Sequence, residues 1–156
     1  MNDVHDETVI MLNETVLAPL GWPPLSHAYD LLAGRPDHLP VTQGVYVFLV
    51  AGPAIAYPVG ESALAYVGKA ESQRGLRGRL MTHWRNIDAC MDDRNAATHA
   101  RYPAHPAYEW VLARGGVCLY AESPEPGRGA WYHESRLLQA FARHHRTRPV
   151  GNGTKA

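Results

Sequence analysis

"LAYVGKAESQRGLRGRLMTHW", residues 64–84, joins two different periodicities at a charged seam. Leu64, Ala65 and Val67 read as a strand about to be buried, whereas Tyr66, Gly68 and Lys69 put a hydroxyl, a bare backbone and a charge at its end. From Gly75 the period changes. Leu76, Leu80, Trp84 and Ile87 recur at i, i+4, i+8 and i+11, the stripe of an amphipathic helix. Arg79 and His83 each stand one position before a stripe residue, hence on its edge.

The neighbours of this stretch supply a sheet. "GVYVFLVAGP" (44–53) is β-branched and aromatic on both faces, which suits a central strand stopped by Gly52 and Pro53. A hairpin with a loop of about a dozen residues is the economical link from it to the 64–69 strand. "YPVG" (57–60) imitates the second strand's tripeptide, but its proline sits badly in a central strand. "GVCLYAES" (116–123) predicts a third strand and "PEPGRG" a loop. "AWYHESRLLQAFARHH" predicts the last helix, with Trp131, Leu137, Leu138 and Phe141 apolar and Pro149 and Gly151 beyond its end. Near the start, "SHAYDLLAG" offers Ser26 as an N-cap, Ala28, Leu31 and Leu32 at helical spacing and Gly34 as a C-terminal cap, which predicts a short helix. Asp88 to Pro106 has no clean period and reads as an excursion.

At 156 residues the chain is one domain by length, and no repeat or low-complexity tract divides it. It lacks an apolar run of bilayer length and its first residues are acidic, so a soluble, cytoplasmic protein that does not engage a membrane is expected. Cys90 and Cys118 are widely separated and read as reduced packing residues. The 15 basic and 15 acidic groups cancel, yet residues 1–30 carry five acids (Asp3, Asp6, Glu7, Glu14, Asp30) and no Lys or Arg. The body is therefore basic, and the acidic leader is either a solvated tail or a mask over an anion site.

Among individual residues Glu134 is the most telling. It precedes Leu137, Leu138 and Phe141 by three, four and seven positions, which sets a carboxylate on the helix face that should be buried. Such a group needs a cation: an arginine in a salt bridge, or a hard divalent ion held by one carboxylate plus waters and phosphate oxygens. Arg79 and His83, at i and i+4, project side by side, and their fork of donors and neutral-range imidazole suit a phosphate. Arg74, Arg77 and Arg85 extend an anion-facing surface, and Arg143, Arg146 and Arg148 form a second basic cluster. Tyr66 would be a poor base unless a nearby ammonium stabilised its phenolate. Lys69 could do so if the strand ends at about Gly68, since residues 66 and 69 of an unbroken strand point to opposite faces.

"GVY" at 44–46, "YVG" at 66–68, Arg79 with His83 one turn later, Glu134 on a later helix and "PVGN" ending at Asn152 together resemble the GIY-YIG nuclease superfamily over about residues 42–152. The resemblance implies an α/β (α+β) fold: a small, mainly antiparallel three-stranded sheet flanked by helices. That domain would span 41–156, behind an acidic extension, 1–40, packed on the core. It also implies catalytic roles for Tyr46, Tyr66, Lys69, Arg79, His83, Glu134 and Asn152. Tyr66 would be the base toward water, assisted by Lys69, and Arg79 would meet the phosphoryl charge. His83 would hydrogen-bond near the nucleophile, Glu134 would hold one Mg²⁺ that Mn²⁺ can replace, and Asn152 would brace the site. The intervals from Tyr66 to Arg79 and from Glu134 to Asn152 are longer than in compact relatives, which keeps Arg77 as a rival to Arg79.

The implied activity is metal-dependent hydrolysis of DNA phosphodiesters, single- or double-stranded. Target choice would fall to the leader, the 51–63 loop and the 88–106 excursion, as in restriction or defence enzymes. One active site per chain would make a homodimer or sequential nicking necessary for double-strand cuts. Trp22, Trp84, Tyr102 and Tyr108 are base-stacking candidates if exposed. The alternatives are an inactive nucleic-acid-binding or regulatory module of the same fold, and a small enzyme that binds a phosphorylated metabolite.

Overall fold

A computed structural model describes residues 4–91, 106–123 and 129–153. Its centre is strand β2, Gly44–Val50, all seven residues of which are buried. Only a strand hydrogen-bonded on both edges and covered on both faces can be apolar throughout, and β2 meets both conditions. Strand β5, Leu64–Ala70, pairs with it antiparallel on one edge and β6, Gly116–Glu122, on the other. The long β2–β5 loop carries its own two-stranded ribbon, β3 (Ile55–Ala56) with β4 (Glu61–Ser62), and the Tyr57–Gly60 decoy forms its turn.

The sheet has a fourth strand that the sequence reading places in a helix. His27–Asp30 is β1, paired with the outer edge of β6, giving the order β1-β6-β2-β5. Ala28 and Leu31 are buried as the helical spacing requires, but Ala28 lies in extended chain paired with β6 and Leu31 in the turn that follows. The free edge of β6 satisfies this backbone, and the Tyr29 and Tyr120 rings lie 6.3 Å apart on adjacent strands. The helix of the leader lies earlier: α1, Asp6–Leu12, runs on through a wide π turn, Asn13–Leu17, and a tight 3-10 turn, Ala18–Leu20. Buried Asn13 fixes it to the chain ahead. Its Nδ2 donates to Leu25 O at 2.9 Å while Leu25 N donates to its Oδ1 at 2.7 Å.

Helices cover both faces of the sheet. Helix α2, Gly75–Met91, lies over the face that carries Tyr46 and Tyr66, with Leu76, Leu80, His83 and Ile87 buried and Trp84 half-buried. Helix α3, Pro106–Arg114, which the sequence reading does not anticipate, packs beside α2. Helix α4, Ala130–His145, buries Leu137 and Phe141 against β5 and β2 and leaves Trp131 exposed. Cys90 and Cys118 are both buried. Among the described residues, no helix is long and apolar enough to cross a membrane.

Strand β5 does not end at Gly68. It continues to Ala70, and the glycine has another purpose: a Cβ there would collide with Cζ and Oη of Tyr46, the cross-strand partner whose ring lies over it. Tyr46 is fully buried and cannot swing aside. Gly68→Ala should therefore destabilise the fold by about 3 kcal/mol in urea unfolding, as overpacking does. Adding Tyr46→Leu should recover part of that loss, whereas Tyr46→Phe, which keeps Cζ, should not.

Candidate functional site

The Tyr46 ring, set across Gly68, points its hydroxyl at α2. Its oxygen lies 2.7 Å from His83 Nε2 and accepts a longer, 3.4 Å bond from Arg79 Nε. No other group bonds this hydroxyl among the described residues, so the only acceptor for its proton is His83 Nε2. A proton given to Nε2 in this way would require the neutral imidazole with its hydrogen on Nδ1. Nδ1 then donates to Tyr108 Oη at 2.7 Å, which also accepts from Asn86 Nδ2 at 3.4 Å. The result is a directed chain from Arg79 through Tyr46 and His83 to Tyr108. Burial pushes the Tyr46 phenol well above its ordinary value, the neighbouring Tyr66 adds to the rise, and Arg79 only partly offsets them. Tyr46 is thus a proton donor held in place, and burial likewise moves Tyr108 up to about 12.

Tyr66 is different: it is half-buried and lines a cavity of 480 Å³ beside the outer edge of β5. Lys69, Glu71, Arg74, Arg79 and Glu134 line the same cavity. Tyr66 and Lys69 do leave opposite faces of an unbroken strand, but β5 is an edge strand, so both side chains can reach the space at its margin. Partial burial works against the Arg79 charge, but the Tyr46 and Tyr66 hydroxyls outweigh it and the net shift is upward. Arg77, the rival, points elsewhere, donating from Nε to Leu39 O at 2.6 Å.

Glu134 enters from α4. Burial raises its carboxyl above the usual range; Lys69, Arg79 and Arg148 pull it back, and Glu71 adds to the rise. Among the described residues no hydrogen bond or ion pair reaches this carboxylate. Glu71, absent from the sequence reading, organises the approach. Its Oε1 accepts from Trp131 N at 2.7 Å, and Oε2 lies 3.8 Å from Lys69 Nζ. It caps the N-terminus of α4, where Gly129 offers no side chain, and complements the helix dipole. One carboxylate thereby fixes Lys69 relative to the helix that carries Glu134.

Asn152 seals the edge. Its Oδ1 accepts from Val67 N and its Nδ2 donates to Val67 O, both at 2.8 Å, as a neighbouring strand would. The turn that holds it, Val150–Asn152, presses Gly151 so close to Ala65 O and Tyr66 Cβ that a side chain would not fit.

The remaining arginines divide. Arg77 and Arg85 share a groove with Arg35 and Arg74 on the outer side of α2. Arg143 borders a different cleft, across the sheet, and Arg146 is the exposed, left-handed C-cap of α4. Trp22 and Trp84 are half-buried, the latter 5.9 Å beneath Arg35. Tyr108 is buried and so is not available for stacking; Tyr102 and most of the 88–106 excursion lie outside the described residues. A helical reading of Ala107, Tyr108 and Val111 would have found Tyr108 as a core-facing residue. No protein family, curated protein or solved structure matches this chain.

The hydrogen-bond chain can be read directly. Long-range ¹H–¹⁵N NMR should show His83 as the neutral Nδ1–H tautomer, and Tyr46→Phe should release that preference. Tyr108→Phe removes the hydroxyl that bonds His83 Nδ1 and should lower stability by about 1 kcal/mol in urea unfolding.

Proposed function

We propose that this chain is a GIY-YIG-type endonuclease, which hydrolyses DNA phosphodiester bonds with one bound Mg²⁺. The observation that carries this reading is the gathering of Tyr66, Lys69, Arg79 and Glu134 around one cavity, with the carboxylate unclaimed by any described protein partner. A structural salt bridge would have brought an arginine or lysine within 4 Å of Glu134, and none of the described residues does so.

The donor set fits the metal. Glu134, which lines the cavity and is unpaired among the described residues, would hold the cation as a single carboxylate, with water and phosphate oxygens completing its shell. When bound, Mg²⁺ supplies charge stabilisation at the phosphoryl oxygens. The chain does the rest. Tyr66 faces the cavity, where Arg79 and Lys69 also stand, and receives the proton of the attacking water. Arg79, steadied by both tyrosines, meets the charge that develops on the phosphoryl group. Tyr46 and His83 act from behind, holding the guanidinium and the helix in register with the strand. Asn152 keeps β5 straight at the residue next to Tyr66. The groove of Arg35, Arg74, Arg77 and Arg85 adjoins the cavity through Arg74 and Gly78, and it gives the flanking phosphates a cationic track.

Incubation with supercoiled plasmid should give Mg²⁺-dependent nicking, abolished by Glu134→Gln and reduced about 10²- to 10³-fold by Arg79→Ala. Unchanged cleavage by Glu134→Gln would overturn the proposal, and binding of DNA without cleavage by the parent protein would favour the inactive module. Thermal melting supplies a separate check. A carboxyl whose folded pKa is raised destabilises the fold above that pKa, and the penalty disappears as pH falls through it. Glu134→Gln should therefore melt above the parent protein at pH 7 without metal, and the difference should close on acidification.

A further inference from the structure

On the sheet face opposite His83 lies a second cleft, of 520 Å³, a volume suited to a small molecule. Val45 of β2 and Ala121 of β6 form its floor. One wall is the turn after α1, with Trp22, Pro23 and Pro24; the other is α4. The helix presents His133, Arg136, Ala140 and Arg143, spaced i, i+3, i+7 and i+10, so that one stripe faces the cleft.

Both charged groups among the described lining residues are cations, Arg136 and Arg143, and no Asp or Glu accompanies them. Arg136 is steadied at the rim, donating from its guanidinium to Tyr132 Oη at 3.2 Å, with Cζ 5.7 Å from that ring's centroid. Between the arginines and the sheet sits His133, only 7% exposed, whose Nε2 has no hydrogen-bond partner. An orphaned buried nitrogen costs stability of the order of a lost hydrogen bond, so folded proteins keep few of them without a purpose. The cavity site already described uses none of these residues.

We infer that this cleft binds a small aromatic anion: a planar apolar body against Trp22 and the two prolines, with its sulfonate, carboxylate or phosphate held by Arg136 and Arg143. Aromatic stacking and an arginine pair reward the two halves of such a ligand separately, so neither a bare anion nor a neutral ring binds as well. Glu134 follows His133 on the same helix, so a ligand here grips the element that positions the other site's carboxylate.

The test is a fluorescence titration of the full chain with 1-anilinonaphthalene-8-sulfonate, compared with neutral 1-anilinonaphthalene and with inorganic phosphate as competitor. The sulfonate should bind saturably, one per chain, and the neutral ring and phosphate at least tenfold more weakly. Arg136→Ala with Arg143→Ala should weaken the sulfonate at least tenfold; both side chains are exposed, so the core stays intact. His133→Leu should raise the melting temperature, because the orphaned nitrogen is gone. Arg79→Ala should leave binding unchanged. Equal binding of the neutral ring, equal binding by the double arginine variant, or loss of binding in Arg79→Ala would each overturn the inference. None of these readouts depends on nuclease activity.

Discussion

The close approach of the Tyr46 ring to Gly68 is the contact on which the rest depends. Two adjacent strands can hold a tyrosine flat across their shared surface only if the residue opposite has no side chain. With the ring in that position, its hydroxyl falls under α2 and meets His83 and Arg79, so strand and helix are keyed by a buried polar contact as well as by apolar packing. Buried hydrogen bonds of this kind add modest net stability, but any other register leaves their groups unpaired, which is heavily penalised. One missing methyl group therefore fixes where α2 sits, and with it the position of Arg79.

How far the sequence could be read follows from the range of each interaction. Strand β2 and helices α2 and α4 were legible because their apolar residues repeat with the element's own period, and the surroundings only confirm the pattern. The segment of Ala28, Leu31 and Leu32 satisfied a helical pattern equally well, and the vacant edge of β6, almost ninety residues on, decided for a strand. Gly68 was read as a turn because glycine's freedom is local knowledge, whereas its neighbour across the sheet is not. Most of the candidate site was visible as residue types in order along the chain. Glu71 and Asn86 were not, and Tyr108 stood out only as a stacking candidate, because what gives each its purpose is a partner on another element.

An edge strand also explains how one cavity can collect side chains from both faces of a sheet. Inside a sheet the alternation of side chains would separate Tyr66 from Lys69 by the full thickness of the layer. At the rim that separation shrinks to the width of the strand, and helices on the two faces can both lean over it. The cavity thus draws Arg79 from α2 and Glu134 from α4, while Glu71 ties the strand's end to the second helix.

The amide of Asn152 has a bearing on how copies of this protein meet. By occupying the outward N–H and C=O of Val67 it fills the middle of the one long edge of the sheet, and the opposite edge, β1, is only four residues long. The β5 margin therefore offers an incoming strand no continuous row of free backbone groups, and the β1 margin is short, two devices against edge-to-edge polymerisation. At the β5 margin of the described sheet, joining two copies by strand continuation is closed.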